Sequence, residues 1–200
     1  MVATAEGTRG VKVKGLSIAG AYLVESPVWG DDRGYFREWF KERDLDEAGV
    51  AFPIQQANLS MSRRGVIRGL HYSLAPEGQA KLVTCAYGEV VDVIVDVRVG
   101  SPTFGTVETI HLAANEEQSV LVPVGAAHGF CVTTEVAALT YLLSSPFNAE
   151  LELEINPFDE SLAVVWPLSG EPLVSAKDAQ APSLADRLRE GQLPQYLTTP

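Results

Sequence analysis

The chain has 200 residues, of which 46% are hydrophobic and 20% are charged, and its formal net charge is −11. This apolar content is enough for a packed core and excludes a disordered chain. The acidic excess argues against nucleic acid or an anionic membrane as a partner, because both need a basic binding surface. No apolar run is long enough to cross a bilayer as a helix.

The N-terminus and the two cysteines predict a single domain in a reducing compartment. Residues 1–10 lack the apolar stretch of a secretory signal, so we expect a flexible leader and then one domain over residues 11–200. Cys85 and Cys131 lie in apolar, strand-like runs without the paired spacing of metal ligands. They are predicted to be buried free thiols of a cytoplasmic protein.

The dominant hydrophobic period along the chain is two residues, which is typical of β-strands. The predicted strands are residues 17–24, 57–61, 66–72, 81–86, 90–97, 107–112, 119–122, 130–133 and 137–143. Short polar helices are predicted only at residues 41–48 and 183–190, and the tail from about residue 170 is otherwise expected to be loop. Many short strands at regular spacing predict a sandwich or a small barrel, not a parallel βαβ sheet.

Residues 150–155 (ELELEI) alternate strictly, so Glu150, Glu152 and Glu154 share one face of a strand. For Glu150 and Glu154 we expect a solvent-exposed edge strand that is protected by charge.

The charge is unevenly distributed along the chain. Residues 48–88 contain one acid, Glu77, against Arg63, Arg64, Arg68 and Lys81, inside a chain of net charge −11. Such a local reversal indicates a small anionic ligand held in a pocket.

The three histidines are His71, His111 and His128. No metal site is predicted, because an H-x-H pair is absent and only His71 and His128 lie in motif-like surroundings. His71 is the best candidate catalyst, since an imidazole can remove and return a proton near neutral pH. A strand at residues 68–72 would place His71 and Arg68 on opposite faces, although a bulge at Gly69 would bring them to the same pocket.

The surroundings of His128 predict a binding role. Small residues flank it in residues 125–130 (GAAHGF), and they permit a ligand to approach the backbone closely. The sequence contains no G-x-S-x-G elbow, Walker loop or dinucleotide-binding G-x-G-x-x-G, so hydrolase, kinase and Rossmann functions lack their usual support.

Several further segments match one family of enzymes in the same order. The matching segments are residues 32–38 (DRGYFRE), 55–60 (QQANLS), 65–72 (GVIRGLHY), Lys81, 92–98 (DVIVDVR), 100–105 (GSPTFG), 123–130 (PVGAAHGF), Tyr141, 166–167 (WP) and 175–178 (SAKD). With these segments the sequence resembles the dTDP-4-dehydrorhamnose 3,5-epimerases over residues 11–194.

The resemblance implies a mainly β, double-stranded β-helix fold, which is a cupin-like jelly roll with short peripheral helices. It implies a cofactor-free and metal-free isomerase that inverts C3 and C5 of dTDP-4-dehydro-6-deoxy-D-glucose, giving dTDP-4-dehydro-L-rhamnose. The family's general base matches His71, and Asp178 pairs with it. Tyr141 matches the opposing acid, and Lys81 matches a lysine near the C4 oxygen of the sugar.

The resemblance also implies a set of substrate-binding residues. They are Arg33, Glu38, Gln56, Asn58, Arg68, His128, Glu152 and Lys177. Two positions depart from the family pattern: Lys177 replaces an arginine found in several members, and Phe147 replaces a second tyrosine, which keeps stacking area but loses a hydroxyl.

Three alternative functions follow from the same residues. One is a mono-epimerase that inverts only C3 or only C5 of a dTDP-4-keto-deoxysugar in secondary metabolism. The second is a non-catalytic cupin that binds sugar nucleotides, and the third is a metal-dependent cupin enzyme. The family is usually homodimeric, with an N-terminal strand exchanged between subunits, so the resemblance implies that Arg33 or Glu38 reaches the partner's pocket.

Overall fold

The computed structural model describes residues 10–197, and β-strands make up most of its regular structure. The strands are β1 (Lys12–Gly15), β2 (Tyr22–Glu25), β3 (Val28–Asp31), β4 (Gly34–Arg37), β5 (Gln56–Arg63), β6 (Ile67–Ser73), β7 (Lys81–Tyr87), β8 (Glu89–Val95), β9 (Val107–Ala113), β10 (Gln118–Val122), β11 (Ala127–Val132), β12 (Val136–Leu143) and β13 (Glu152–Glu154). The leader predicted for residues 1–10 lies outside the described residues, apart from Gly10.

Two antiparallel sheets form the body of the protein. The first has the strand order β1-β2-β10-β7-β12-β5, and the second has the order β13-β6-β11-β8-β9. The main core lies between them: Val83 and Leu139 of the first sheet pack in one cluster with Ile94 and Phe130 of the second. Two facing sheets with few short helices form the cupin-like jelly roll, so the predicted fold class is confirmed.

Eight of the nine predicted strands overlap β5 to β12, and the remaining one is wrong in part. Residues 16–21 form a turn instead of a strand, closed by a hydrogen bond of 2.9 Å from the Leu16 amide to the Ala21 carbonyl. Gly20 adopts a φ of +79° in that turn, a conformation that ends a strand. The chain is regular on either side, as β1 and β2.

Both predicted helices are present, as α1 (Glu42–Glu47) and α3 (Leu184–Arg189). Ser183 and Asp186 form a reciprocal capping box at the start of α3. The structure adds α2 (Ala176–Ala179) and a 3-10 turn at Glu160–Leu162, which are too short to produce a helical pattern in the sequence. Among the helices of residues 10–197, none has the length and apolar character that a membrane span requires.

Strands β3 and β4 form a separate two-stranded hairpin, which the sequence did not predict as strands. Its base is anchored by Arg37, whose Nε donates to Ser26 Oγ at 2.8 Å and whose Nη1 donates to Thr84 Oγ1 at 3.0 Å. Trp29 and Phe36 face each other across the hairpin with ring centroids 6.0 Å apart, and both rings are exposed.

Candidate active site

A cavity of about 450 Å³ opens between the two sheets. It is lined by Asn58, Arg68, His71, Gln79, Lys81, His128, Phe130, Tyr141, Leu143, Phe147, Ala149, Glu152, Leu153, Ser175, Lys177 and Asp178. Strands β5, β7 and β12 supply one wall, and strands β6, β11 and β13 supply the other. The cavity therefore combines an apolar part with charged groups of both signs, as expected for a polar ligand that carries an apolar ring.

Gly69 on β6 and Gly129 on the paired strand β11 lie against each other and shape one wall of the cavity. The register of this strand pair shifts between His128 and Phe130, which is the irregularity expected at Gly69. Gly69 has a φ of +119°, and a Cβ atom there would lie 2.6 Å from the Gly129 Cα atom. Because only glycine permits this approach, the strand bends and both Arg68 and His71 reach the cavity.

His71 and Asp178 form an imidazole–carboxylate pair. The His71 Nε2 atom lies 2.8 Å from Asp178 Oδ1, and Asp178 is held at the start of α2, where its backbone N–H donates to Ser175 Oγ. Burial of the Asp178 carboxyl favours a raised pKa, but the hydrogen bond and electrostatic attraction to His71, together with hydrogen bonds to Ser175 and the Gly69 backbone, outweigh burial, so the pKa lies below its ordinary value. Asp178 is therefore an ionised carboxylate that orients the imidazole.

Tyr141 lies on β12, in the sheet that faces the His71 wall. Its phenolic oxygen is 3.1 Å from Ser60 Oγ on the neighbouring strand β5. Burial raises the pKa of Tyr141 well above its ordinary value, and the hydrogen bond to Ser60 opposes that shift. Tyr141 is thus protonated at neutral pH and can act as an acid towards a group in the cavity.

Lys81 and Glu152 lie in the same cavity on opposite sheets. Burial lowers the pKa of Lys81, while the charges of Glu152 and Asp92 oppose the shift. Burial likewise raises the pKa of Glu152, and the charges of Lys81 and His71 oppose it. The lysine proton is therefore held less tightly than in water, which suits a donor to a developing oxyanion.

A second imidazole–carboxylate pair lies beside the first, because His128 is the partner of His71 across β11 and β6. His128 Nε2 is 2.8 Å from Asp92 Oδ2, and both side chains are almost fully buried. The ring of His128 also meets that of Tyr141 edge to face, with centroids 6.4 Å apart. Within residues 10–197, no group of three or more His, Cys, Asp or Glu side chains is placed to hold a metal ion.

The comparisons with known proteins decide the family. The family model described as dTDP-4-dehydrorhamnose 3,5-epimerase matches residues 15–186. The chain is 43% identical over 182 residues to the dTDP-4-dehydrorhamnose 3,5-epimerase of Streptomyces griseus, covering 90% of each chain. This chain belongs to the dTDP-4-dehydrorhamnose 3,5-epimerase family. It is therefore an enzyme of the epimerase class.

Mono-epimerases are equally similar to this member of the epimerase family. The chain is 44% identical to the dTDP-4-dehydro-6-deoxyglucose 3-epimerase of a Streptomyces species, covering 90% of this chain and 93% of the relative. It superimposes with a TM-score of 0.87 on a 3'-monoepimerase from Streptomyces bikiniensis in complex with dTDP-quinovose, at 42% identity and covering 90% and 92% of the two chains. Overall identity therefore does not separate single from double inversion.

Most site residues predicted from the resemblance to the epimerase family line the one cavity. These are His71, Tyr141, Asp178, Lys81, Asn58, Arg68, His128, Phe147, Glu152 and Lys177. Gln56 lies just behind it, where its amide donates to Asn58 Oδ1 at 2.9 Å and its carbonyl accepts from the Phe147 backbone N–H at 2.8 Å. Of the four cations of residues 48–88, Arg68 and Lys81 line the cavity, and Arg63 and Arg64 do not.

Arg33 and Glu38 lie outside the cavity of their own chain. Arg33 sits at the tip of the β3–β4 hairpin, where its exposed guanidinium pairs with Asp31. Glu38 follows the hairpin and pairs with Lys41 at 3.2 Å. A single subunit therefore does not bring these two residues to the candidate active site.

The prediction for Glu154 as a solvent-exposed edge residue is wrong. Its side chain is 14% exposed, and its carboxylate is 2.8 Å from Lys177 Nζ and 3.4 Å from Arg187 Nη2. The C-terminal segment covers this edge of the sheet, which the strand pattern alone did not show. Glu154 thereby anchors the lysine that precedes Asp178.

Sequence reasoning missed Asp92 and Ser60 as residues that support the site. Asp92 belongs to an apolar strand motif, and a carboxylate in such a strand needs a buried partner, which is the signal that the sequence offers. Ser60 carried no comparable signal, because its contact with Tyr141 depends on the pairing of β5 with β12.

Proposed function

We propose that this protein inverts C3 and C5 of dTDP-4-dehydro-6-deoxy-D-glucose to give dTDP-4-dehydro-L-rhamnose, without a cofactor. One observation carries the proposal. His71 lies on β6 of one sheet and is paired with Asp178 of α2, Tyr141 lies on β12 of the facing sheet, and all three line the same cavity. Inversion needs a base and an acid on opposite sides of the sugar ring, and this arrangement supplies them.

The chemistry accounts for the residue types. A hydrogen on a carbon next to a ketone is acidic because its loss gives an enolate, and a C4 ketone activates both C3 and C5. His71 takes the proton from carbon, the C–H electron pair forms the enolate, and the charge moves to the C4 oxygen. Lys81 would donate to that oxygen, a contribution of about 3–4 kcal/mol by analogy with an oxyanion hole.

Tyr141 completes the inversion from the other face. Its O–H bond breaks, the enolate electron pair takes the proton to form the new C–H bond, and the C4 ketone is restored. Asp178 stabilises the imidazolium that His71 becomes after the first step. A positioned base or acid of this kind contributes about 10²–10⁴-fold in rate.

The remaining cavity residues suit a sugar nucleotide. Arg68 and Lys177 are cations for the diphosphate, and Phe147 offers an exposed ring at the cavity for the thymine. Asn58, Gln56, His128 and Glu152 supply polar groups for the sugar and base.

The substrate site is proposed to be completed by a second copy of this chain in a homodimer. The β3–β4 hairpin exposes Trp29 and Phe36, and an isolated two-stranded hairpin is only marginally stable in water. Strand β5, at the edge of the first sheet, exposes Leu59 and Met61, each at 67%. A partner that covers both surfaces would place Arg33 and Glu38 at the neighbouring cavity.

A mono-epimerase is the second candidate. The observation that favours it is Phe147, which stands in place of the family's second tyrosine. We also propose a cytoplasmic location, supported by the two buried free thiols Cys85 and Cys131.

The test is proton NMR of the reaction with dTDP-4-dehydro-6-deoxy-D-glucose in D₂O, with a reductase to trap the product. Double inversion gives deuterium at both C3 and C5 with both centres inverted, whereas a mono-epimerase yields a product inverted at one centre. The variant His71→Asn is expected to lose turnover, and the control His111→Asn, at an exposed histidine outside the cavity, is expected to keep it. Full turnover by His71→Asn would support the non-catalytic binding protein, and loss of wild-type activity after exhaustive chelation would support the metal-dependent one.

A further inference from the structure

The face of β5 that meets the site carries a row of small polar residues. Side chains alternate along a strand, so Asn58, Ser60 and Ser62 point to one face, and Leu59 and Met61 point to the other. The last two are exposed, so the polar row faces the site. Each member contacts the site: Asn58 lines the cavity, Ser60 bonds Tyr141, and Ser62 Oγ accepts from Arg68 Nε at 3.0 Å.

The contact between Ser60 and Tyr141 is specific. The two hydroxyl oxygens are 3.1 Å apart. Tyr141 pairs across the ladder with Asn58, which is two pairs along from the pair of Ser60 and Leu139. Within the described residues, Ser60 is the side chain that hydrogen-bonds the phenol. Tyr141 also lines the cavity, and the ring of His128 lies edge to face with its ring.

We propose that Ser60 is a positioning residue for Tyr141: its hydroxyl donates to the phenolic oxygen, so the phenolic hydrogen points into the cavity and the phenolate left after proton transfer keeps a donor. The inference rests on the proposed function, since it assigns how the acid of that reaction is held. Ser60 acts through Tyr141 and does not touch the reacting carbon or the enolate.

The direction of the hydrogen bond decides whether Tyr141 can work. If the phenol donated to Ser60, its hydrogen would point at β5 and would be unavailable to the substrate. If Ser60 donates, the phenol keeps its own hydrogen for the substrate, and the oxygen still has a partner when that hydrogen leaves.

The hydrogen bond from Ser60 matters most for the phenolate form of Tyr141. Burial disfavours the charged form of Tyr141, and the nearby charge of Asp92 disfavours it further, whereas Ser60 and the positive charge of Arg68 favour it. A hydrogen bond to a charged group is worth more than one between neutral groups. Removal of the Ser60 hydroxyl should therefore slow proton return more than it weakens substrate binding.

The experiment compares Ser60→Ala with Ser60→Thr, which retains a hydroxyl, and with Thr140→Val as the matched control. Thr140 neighbours Tyr141 on β12, and within residues 10–197 its buried Oγ1 has no hydrogen-bond partner. Ser60→Ala is expected to lower kcat about 10- to 100-fold with little change in KM. Ser60→Thr should recover most of that loss, and Thr140→Val should behave as the wild type.

The decisive readout is the ratio of exchange to inversion in D₂O. The His71 side chain is 39% exposed, so its proton can exchange with solvent. When proton delivery from Tyr141 is slow, the enolate takes deuterium back from His71, and recovered substrate becomes labelled without inversion. Ser60→Ala should raise this ratio at least several-fold, and a merely structural role would leave it unchanged.

The possible outcomes have distinct meanings. A raised ratio that is restored in Ser60→Thr supports the positioning role. A wild-type ratio in Ser60→Ala, with normal thermal unfolding, overturns it and leaves the proposed function intact. Absence of both exchange and inversion in the wild-type protein overturns the proposed function itself. If Ser60→Ala does not fold, a Ser60→Thr variant with an unchanged fold and a raised ratio would also contradict the proposal.

Discussion

At the scale of single residues, three buried carboxyl groups, those of Asp92, Asp96 and Asp178, each lie beside a basic side chain. His71 and Asp178 are 107 residues apart, and His128 and Asp92 are 36 residues apart. Arg98 is held by Asp96, with Nε 2.8 Å from Oδ1, and both are buried. A buried charge left without its partner destabilises the fold strongly, so these pairs constrain both the structure and the site.

The Asp178→Asn variant tests the first of these pairs. An amide cannot stabilise the imidazolium of His71, so we expect kcat to fall by about 10²-fold or more while the fold is retained. Steady-state kinetics measure the effect, and Asp46→Asn, at an exposed residue on α1, is the control that should keep full activity. Activity within twofold of the wild type would show that Asp178 does not support the base.

The same variant predicts a change in how stability depends on pH. The pKa of Asp178 is lowered in the folded state, so its stabilising contribution is present above the unfolded pKa of about 3.9 and is lost as the pH falls through the folded pKa. Between about pH 5 and pH 2, the unfolding free energy of Asp178→Asn should therefore vary less than that of the wild type. Equal slopes in denaturant titrations would contradict this expectation.

At the scale of elements, β6 does the most to organise the site. It places Leu70 and Tyr72 in the core and carries Arg68 and His71 to the cavity, which regular alternation would not permit. The break in register between β6 and β11 turns both side chains towards the cavity, and this break depends on the close approach of Gly69 to Gly129.

The Gly69→Ala variant is expected to lose stability and activity together. A Cβ atom would meet the His128 carbonyl oxygen at 2.6 Å, and the φ of +119° is strained for alanine. We expect a loss of at least about 2 kcal/mol in unfolding free energy, measured by denaturant titration. Gly170→Ala is the matched control, because its Cβ would meet nothing within 4 Å and should cost little. If Gly69→Ala kept the stability and activity of the wild type, the contact between β6 and β11 would tolerate a side chain at this position.

At the scale of the whole molecule, one subunit brings most of the predicted site residues to one cavity, but not Arg33 and Glu38. Arg33 lies on the β3–β4 hairpin, whose base is anchored by Arg37. Arg33 does not line the candidate active-site cavity of its own chain. The exposed Trp29 and Phe36 would be costly to leave in water, which favours a second copy as the occupant of this surface. When two subunits share a site, two different inactive variants can restore activity when they are mixed.

Mixing of inactive variants tests the shared site. If Arg33 serves the partner's cavity, Arg33→Ala and His71→Asn subunits should complement each other. Random exchange gives heterodimers with one intact site, and therefore about one quarter of the wild-type activity. The control mixture of His71→Asn with Asp178→Asn should stay inactive, because both residues lie in the same cavity of one chain. A fully active monomer in sedimentation experiments would contradict the shared site.

Local patterns in the sequence predicted a mainly β sandwich or barrel, eight of the strands and both longer helices, because period-two alternation, turn residues and caps are local properties of the chain. The cupin-like jelly roll followed from the resemblance to the family. The sequence also indicated, through family motifs, ten residues that line one cavity. Only the tertiary structure decided which contacts hold those residues. The pairing of His128 with Asp92, of Tyr141 with Ser60 and of Glu154 with Lys177 each joins separate elements. Such contacts depend on strand register and sheet packing, which no local pattern encodes.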